Sequence, residues 1–296
     1  MKKAAENYLD SLITISYNGI ARGCEEADKF MQRSEIITLL TDFGSQDGYV
    51  AAMKGVILGI DPTAQLIDLS HEVEPQNIEA GAFLLQAHFR CFAAGTVHLA
   101  VVDPGVGGER AALAASGGGY FFIAPDNGLL DFCVDWPDLQ VVKLTQKKFW
   151  RDTISFTFHG RDIFAPVAAH LARGEALSNL GEPHKLQRKL VALECRVEGR
   201  TLHGQVVYID RFGNLVSNIS APRLQEFSAG RPVTISLDGH LIGGLCKTYA
   251  DVPPHSPLAL IGSFGFLEIG INLGSAQARF AARTGAPITV TRDQLV

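Results

Sequence analysis

The chain has 296 residues, 47% of them hydrophobic, which is enough for one large domain or two moderate ones around a substantial core. A net charge of −5 without an extended basic run argues against nucleic acid as the main partner. Cys24, Cys91, Cys133, Cys195 and Cys246 lie far apart with no C-x-x-C pair, and no apolar stretch nears the roughly 20 residues a bilayer needs. A disulfide framework, a zinc site and a membrane span are therefore not expected, and the natural compartment is a reducing cytoplasm.

Residues 1–35 read as an appended or mobile tail. Glu6, Asn7, Asp10 and Ser11 interrupt the apolar core that a signal peptide requires, and Met31 is a second candidate start. Ile36–Leu40 is an apolar run that predicts a buried strand. Tyr49–Ile60 carries Ala51, Met53, Val56 and Ile57 at helical spacing and stops at Asp61-Pro62. A short strand is expected at Gln65–Leu69, and a helix over Ile78–Phe92 with Asn77 as its cap. Thr96–Val102 is the next strand, followed by strands at Tyr120–Ala124 and Leu139–Leu144 and a helix over Asp162–Arg173. This β-α-β-α-β order predicts an α/β/α domain with a mainly parallel sheet, over residues 36–188. Beyond Gly181-Glu182-Pro183 the texture changes to short apolar runs with glycine-rich breaks, among them Gly204–Ile209, Val233–Leu237, Leu258–Gly262, Leu267–Ile271 and Ile288–Arg292. That spacing predicts a small antiparallel β-barrel over 189–296.

The polar residues collect at strand ends. Asp42 and Asp47 follow the first strand in TDFGSQDGYV, where an α/β sheet presents ligands, with Gly44 and Gly48 keeping the backbone approachable. No glycine-rich phosphate loop accompanies them, so a nucleoside carrying positive charge suits the site better than a nucleotide polyphosphate. Asp103 ends the third strand, and Arg110 lies across the glycine-rich turn DPGVGGER. By spacing alone this pair reads equally as a turn acid with a surface arginine. His159 stands in FHGRD before a helix, a place where a structural histidine is the ordinary reading. In IDRFGNLVSN, Asp210 and Asn214 flank Phe212-Gly213; a hairpin turn and an aromatic platform with an edge-reading amide both fit. Ser263, in GSFGFLEIGIN, either binds a carboxylate or closes a turn. Lys147, Lys148 and Arg151 around Phe149 and Trp150 read as a solvated edge.

TDFGSQDGYVAAMKG, VDPGVGGER, APDNGLL, FHGRDIFAPVAAHLA and IDRFGNLVSN, in this order over Ile36–Arg292, resemble the S-adenosyl-L-methionine hydrolases, relatives of the bacterial fluorinase and chlorinase. The resemblance implies an α/β/α domain joined to a small β-barrel, and a homotrimer with sites between neighbouring subunits. It implies a catalytic Asp103, Arg110 and His159, where the halogenating relatives carry tyrosines in place of the acid and the histidine. Gly160 stands where the fluorinase has a halide-binding serine, and the fluorinase insertion is missing between Ala115 and Tyr120. By motif matching, Asp42 holds the ribose diol, Asp47 and Asp210 face the methionine ammonium, and Ser263 lies near its carboxylate. Phe212, Tyr249 and Asn214 frame the adenine. Phe264 and Ile271 depart from the pattern, replacing arginines of the fluorinase.

The implied reaction is an in-line attack of water on the ribose C5′ of S-adenosylmethionine, giving adenosine and L-methionine. The small molecule is substrate; no cofactor and no metal are called for. Since an arginine against Asp103 makes that carboxylate a weaker base, His159 is the expected proton acceptor. A chloride-using halogenase and a non-catalytic nucleoside-binding protein are the alternatives. Gly160 leaves room for the larger halide, but Asp103 would repel an anion near C5′.

Overall fold

The structure, a computed structural model, describes residues 34–190 and 194–293, so the expected tail up to residue 33 lies outside the described residues. A seven-stranded sheet fills the N-terminal half. Its strands are β1 (Ile36–Thr41), β2 (Gln65–Ser70), β3 (Val97–Val101), β4 (Ala112–Gly117), β5 (Tyr120–Pro125), β6 (Gln140–Leu144) and β7 (Gly181–Pro183), in the order β2-β1-β3-β5-β4-β6-β7. Pairing is parallel from β2 to β5, as the βα alternation requires, and antiparallel from β5 to β7. Leu40, Ala100 and Phe122 share a core with Phe83 and Leu85 of the helix α2 (Ile78–His88). Their neighbours Leu39 and Leu99 alternate to the opposite face, covered by α1 (Tyr49–Ile60) and α3 (Ala165–Ala172).

Several elements differ from the sequence reading, and Gly181–Pro183, read as a boundary, is the edge strand β7. β4 is absent from it: AALAASG has no β-branched residue, and only its place beside β5, across a turn with Gly118 at φ 57° and Gly119 at φ 85°, makes it a strand. α2 ends at His88 and tightens into a 3-10 turn, Phe89–Cys91. The third helix opens as a single π turn, Gly160–Phe164, directly after His159.

The C-terminal half is an eight-stranded antiparallel sheet, with β8 (Arg196–Glu198), β9 (Thr201–Ile209), β10 (Leu215–Ser220), β11 (Val233–Leu237), β12 (His240–Gly243), β13 (Pro257–Ile261), β14 (Phe266–Ile271) and β15 (Pro287–Arg292). A bridge from Leu245 to Ala259 brings the segment after β12 onto β13 and nearly closes the sheet into a barrel. Two short helices, α4 (Ala221–Ser228) and α5 (Ala276–Phe280), cap its ends. The two halves share a core. Phe83 of α2 stacks on Tyr208 of β9 at 5.4 Å and meets Phe266 at 5.3 Å and Phe264 at 5.8 Å, with Val207 and Val216 in the same cluster.

Candidate active site

β3 delivers Asp103 just past its end, and two linked turns bring Arg110 back over it. Val106 N–H donates to Asp103 O at 3.2 Å, and Gly108 N–H to Gly105 O at 3.0 Å. Arg110 Nε then donates to both Asp103 oxygens at 3.0 Å, and Nη2 closes a further bond on Oδ2. Gly107, at φ 78°, is required here: a Cβ would lie 2.3 Å from the carbonyl oxygen of Phe156. The two side chains are only 4% and 11% exposed, so the surface-pair reading does not hold. Arg110 Nη2 also donates to Nδ1 of His159 at 2.9 Å, joining the β3–β4 loop to the segment that precedes the third helix. The guanidinium lies over the Phe164 ring at 5.4 Å.

This contact fixes the state of His159. Nδ1 accepts from Arg110, so the neutral ring carries its hydrogen on Nε2. Burial, then the Arg110 charge, hold its pKa below the ordinary histidine value, against the pull of Asp103 and Asp162. Neither ring nitrogen has a free lone pair while the arginine bond stands. Asp103 accepts three contacts out of about four lone-pair sites and keeps capacity for another donor.

Asp162 sets the loop that carries His159. Fully buried, it accepts from Arg151 Nη1 at 3.0 Å, from Arg161 Nε at 2.7 Å and from Ser155 N–H at 2.8 Å. Burial alone would push its carboxyl up, but Arg161, the Ser155 amide and Arg151 hold it below the usual range.

Asp42 stands on the loop after β1, its Oδ2 taking the Gln76 N–H at 2.8 Å. That loop is pinned by Gly44 N–H to His71 O at 2.7 Å and by Thr41 Oγ1 to His71 Nδ1 at 2.8 Å. His71 Nε2 in turn lies 3.0 Å from Asp68, which holds Lys54 at 2.7 Å. Asp47 is exposed farther along the loop. Phe43, Tyr49 and Phe158 form an aromatic cluster there, with centroids 5.1 to 5.9 Å apart. Gly160 is buried against it: a Cβ would lie 3.2 Å from Met53 Sδ and 3.3 Å from Phe158. The expected room for a halide at this glycine is filled by those side chains.

The remaining predicted residues line a cavity of about 830 Å³ on the barrel, with Asp210, Phe212, Asn214, Tyr249 and Ser263 all on its wall. Asp210 closes the β9–β10 hairpin, its Oδ1 accepting from Phe212 N–H at 2.9 Å and Asn214 N–H at 2.8 Å, with Gly213 at φ 81°. The turn reading of IDRFGN is thus correct, and the turn also offers Phe212, 76% exposed, to the cavity. Phe264 belongs to the joint with α2, between Phe83 and His88, which accounts for an apolar residue there. None of Asp42, Asp103, Arg110 or His159 lines this cavity. Arg110 and His159 open instead onto a second cavity of about 710 Å³ with Lys147, Lys148 and Arg151. The expected solvated edge is therefore one wall of a concave basic surface.

Sequence reasoning missed Glu268, 4% exposed on the same cavity, and the Asp162 and His71 supports. Glu268 alternates with Leu267, Ile269 and Ile271, which face the barrel core, so LEIGI reads as a strand with its acid on the outer face and gives no signal of burial.

A family model for the SAM hydroxide adenosyltransferase N-terminal domain matches residues 37–181, and one for its C-terminal domain matches 204–289. The chain is 36% identical over 261 residues to the (R)-S-adenosyl-L-methionine hydrolase of Salinispora arenicola, covering 86% of this chain and 97% of that one. Identity to the fluorinase of Actinoplanes sp. is 29% over 290 residues, covering 87% and 97%. A solved structure of an uncharacterized conserved protein from Thermotoga maritima superposes with a TM-score of 0.80 at 35% identity, covering 86% of this chain and 100% of that one.

Proposed function

The chain belongs to the SAM hydroxide adenosyltransferase family, and we propose that it hydrolyses S-adenosyl-L-methionine, the (R)-sulfonium epimer in preference, to adenosine and L-methionine. The observation that carries this reading is the buried contact of Asp103, Arg110 and His159, the arginine bonded to both partners. A water held against these groups attacks C5′ as the C5′–S bond breaks, and the electron pair of that bond leaves on a neutral thioether, so no general acid is needed. Aligning that water with the C5′–S axis is the main contribution, worth about 7–11 kcal/mol in good intramolecular models.

The attacking oxygen becomes an oxonium as the new bond forms, and such a strong acid gives its proton to a weak base. Asp103 therefore takes the proton in this scheme. His159, whose Nδ1 is spent on Arg110, holds the guanidinium in place instead of acting as the base first expected. Asp42 binds the ribose diol, Asp47 and Asp210 the ammonium, Ser263 the carboxylate, and Phe212, Tyr249 and Asn214 the adenine. The substrate reading needs no cofactor, and the free cysteines Cys91, Cys133, Cys195 and Cys246 suit a cytoplasmic protein. The packed surroundings of Gly160 and the carboxylate at Asp103 weigh against halide as nucleophile.

The test is incubation with each epimer of S-adenosylmethionine in oxygen-18 water, with and without chloride. Label in the 5′ hydroxyl of adenosine, formed faster from the (R) form, is expected. Unlabelled adenosine, or 5′-chloro-5′-deoxyadenosine as the main product, overturns the proposal.

A further inference from the structure

The loop that carries Asp42 is fastened on both sides of that residue by one histidine. His71 Nδ1 lies 2.8 Å from the hydroxyl of Thr41, just before Asp42. The same hydroxyl oxygen takes the N–H of Phe43, just after Asp42, at 3.3 Å. Whichever atom holds the hydrogen between Thr41 and His71, that oxygen keeps a lone pair for Phe43. The His71 carbonyl in turn accepts the Gly44 N–H at 2.7 Å. Thr41 and His71 are both buried. Behind the ring, Nε2 stands 3.0 Å from Asp68, itself held by Lys54 at 2.7 Å.

These bonds begin where strand pairing stops. The β1–β2 ladder ends at Leu40 and Ser70, after a shift of register. Two further bonds between the loops, Ser45 Oγ to Glu72 at 3.1 Å and Gln76 N–H to Asp42 at 2.8 Å, are exposed to water. The second of them sets the Asp42 carboxylate directly. Gln76, however, gives its N–H from a left-handed conformation, with φ 67°. A residue with a side chain keeps that conformation only where its surroundings enforce it. His71 is the buried tie that brings the loop 70–77 onto the loop 41–45, and so keeps the Gln76 amide at Asp42.

We propose that His71 is a positioning residue for ribose recognition: its hold on Thr41 and Gly44 keeps the Asp42 carboxylate aimed at the diol. His71 touches no substrate atom in this scheme and acts through the loop alone. The proposal rests on the reading of Asp42 as the ribose ligand, and its test separates the two.

The wild-type protein, Asp42→Ala, His71→Ala, His71→Asn and Thr41→Val are compared for kcat and KM on S-adenosylmethionine and on its 2′-deoxyribose counterpart. Calorimetry of adenosine against 2′-deoxyadenosine reads the same preference without turnover. The wild type is expected to favour ribose by about 10- to 100-fold, the effect of a hydrogen bond to a charged group, and Asp42→Ala to lose that preference. His71→Ala should cut the preference at least about fivefold, chiefly through KM for the ribose substrate. His71→Asn offers Thr41 an amide in place of Nδ1 and should restore most of it, which a general loss of packing would not allow. In an Asp42→Ala background, His71→Ala should leave the ribose-to-deoxyribose ratio unchanged. Thr41→Val cuts the same tie from its other end and stands in if His71→Ala does not fold. Wild-type preference in a folded His71→Ala or Thr41→Val, when Asp42→Ala has lost it, overturns the proposal alone. A wild type indifferent to the 2′ hydroxyl, or an Asp42→Ala that keeps the preference, overturns the ribose reading and the proposal with it.

Discussion

At the triad, hydrogen-bond direction separates roles that residue types alone leave merged. If Asp103 takes the proton, Asp103→Asn removes both the acceptor and the charge that holds Arg110. The expected loss is about 10²–10⁴ in kcat, the range of a positioned acid or base, read by single-turnover formation of adenosine. His159→Gln keeps an acceptor for Arg110 and should lose less. The reverse ranking would return the base role to the histidine. Acid pH provides an independent check. Burial and Arg110 lower the His159 pKa, so the ring is neutral at pH 7 and takes up a proton only below the ordinary value of about 6.5. Protonated Nδ1 cannot accept from Arg110, so kcat/KM should fall as pH drops through that lowered pKa. His159→Gln should lack this limb, measured as the pH profile of both proteins between pH 4 and pH 8.

The element that matters most for these residues is the segment 151–164, and it is held by one buried acid. Asp162 ties Arg151, Arg161 and the Ser155 amide together, and its own N–H returns to Phe158 O at 3.2 Å, one residue before His159. Asp162→Asn loses the charge-assisted bonds, and both arginines still reach water, so a stability loss of about 1–3 kcal/mol is expected. The catalytic loss should appear in kcat and exceed what the fall in Tm explains, since the loop that aims His159 loosens. A variant with lowered Tm and unchanged kcat would show Asp162 to be structural only. The sequence displays one side of this element well and the other poorly. Apolar periodicity and strand-end placement make β1, β3, Asp42 and Asp103 legible, because burial and the βα crossover act locally. Asp162, His71 and Glu268 each depend on a partner 7 to 30 residues away, Ser155, Thr41 and Tyr249, and single-chain spacing carries no record of such pairings. β4 is hidden for the same reason: its alanines become a strand through neighbours on both sides.

Across the whole molecule, the aromatic joint at Phe83 fixes the barrel against the α/β half, yet the predicted barrel contacts line one cavity and Arg110 and His159 another, with no lining residue in common. A second copy that brought its barrel to the first copy's triad would let one S-adenosylmethionine meet Phe212 and Asn214 together with Arg110 and His159. Exposed apolar side chains stand at both surfaces: Phe156 at 82% beside the triad, Phe212 at 76% and Leu273 at 77% at the cavity. The homotrimer implied by the family would supply that second copy. Complementation decides the matter. Asp103→Asn and Phe212→Ser damage opposite half-sites, and each alone should be nearly inactive at low substrate. If every site joins halves of two subunits in a closed ring, co-expression in equal amounts should rebuild about a quarter of the sites with both halves intact. Recovery to about that fraction of wild-type kcat/KM, in a particle of trimer mass by light scattering, is the expected result. Activity equal to the sum of the two parents would mean that each chain carries its own complete site.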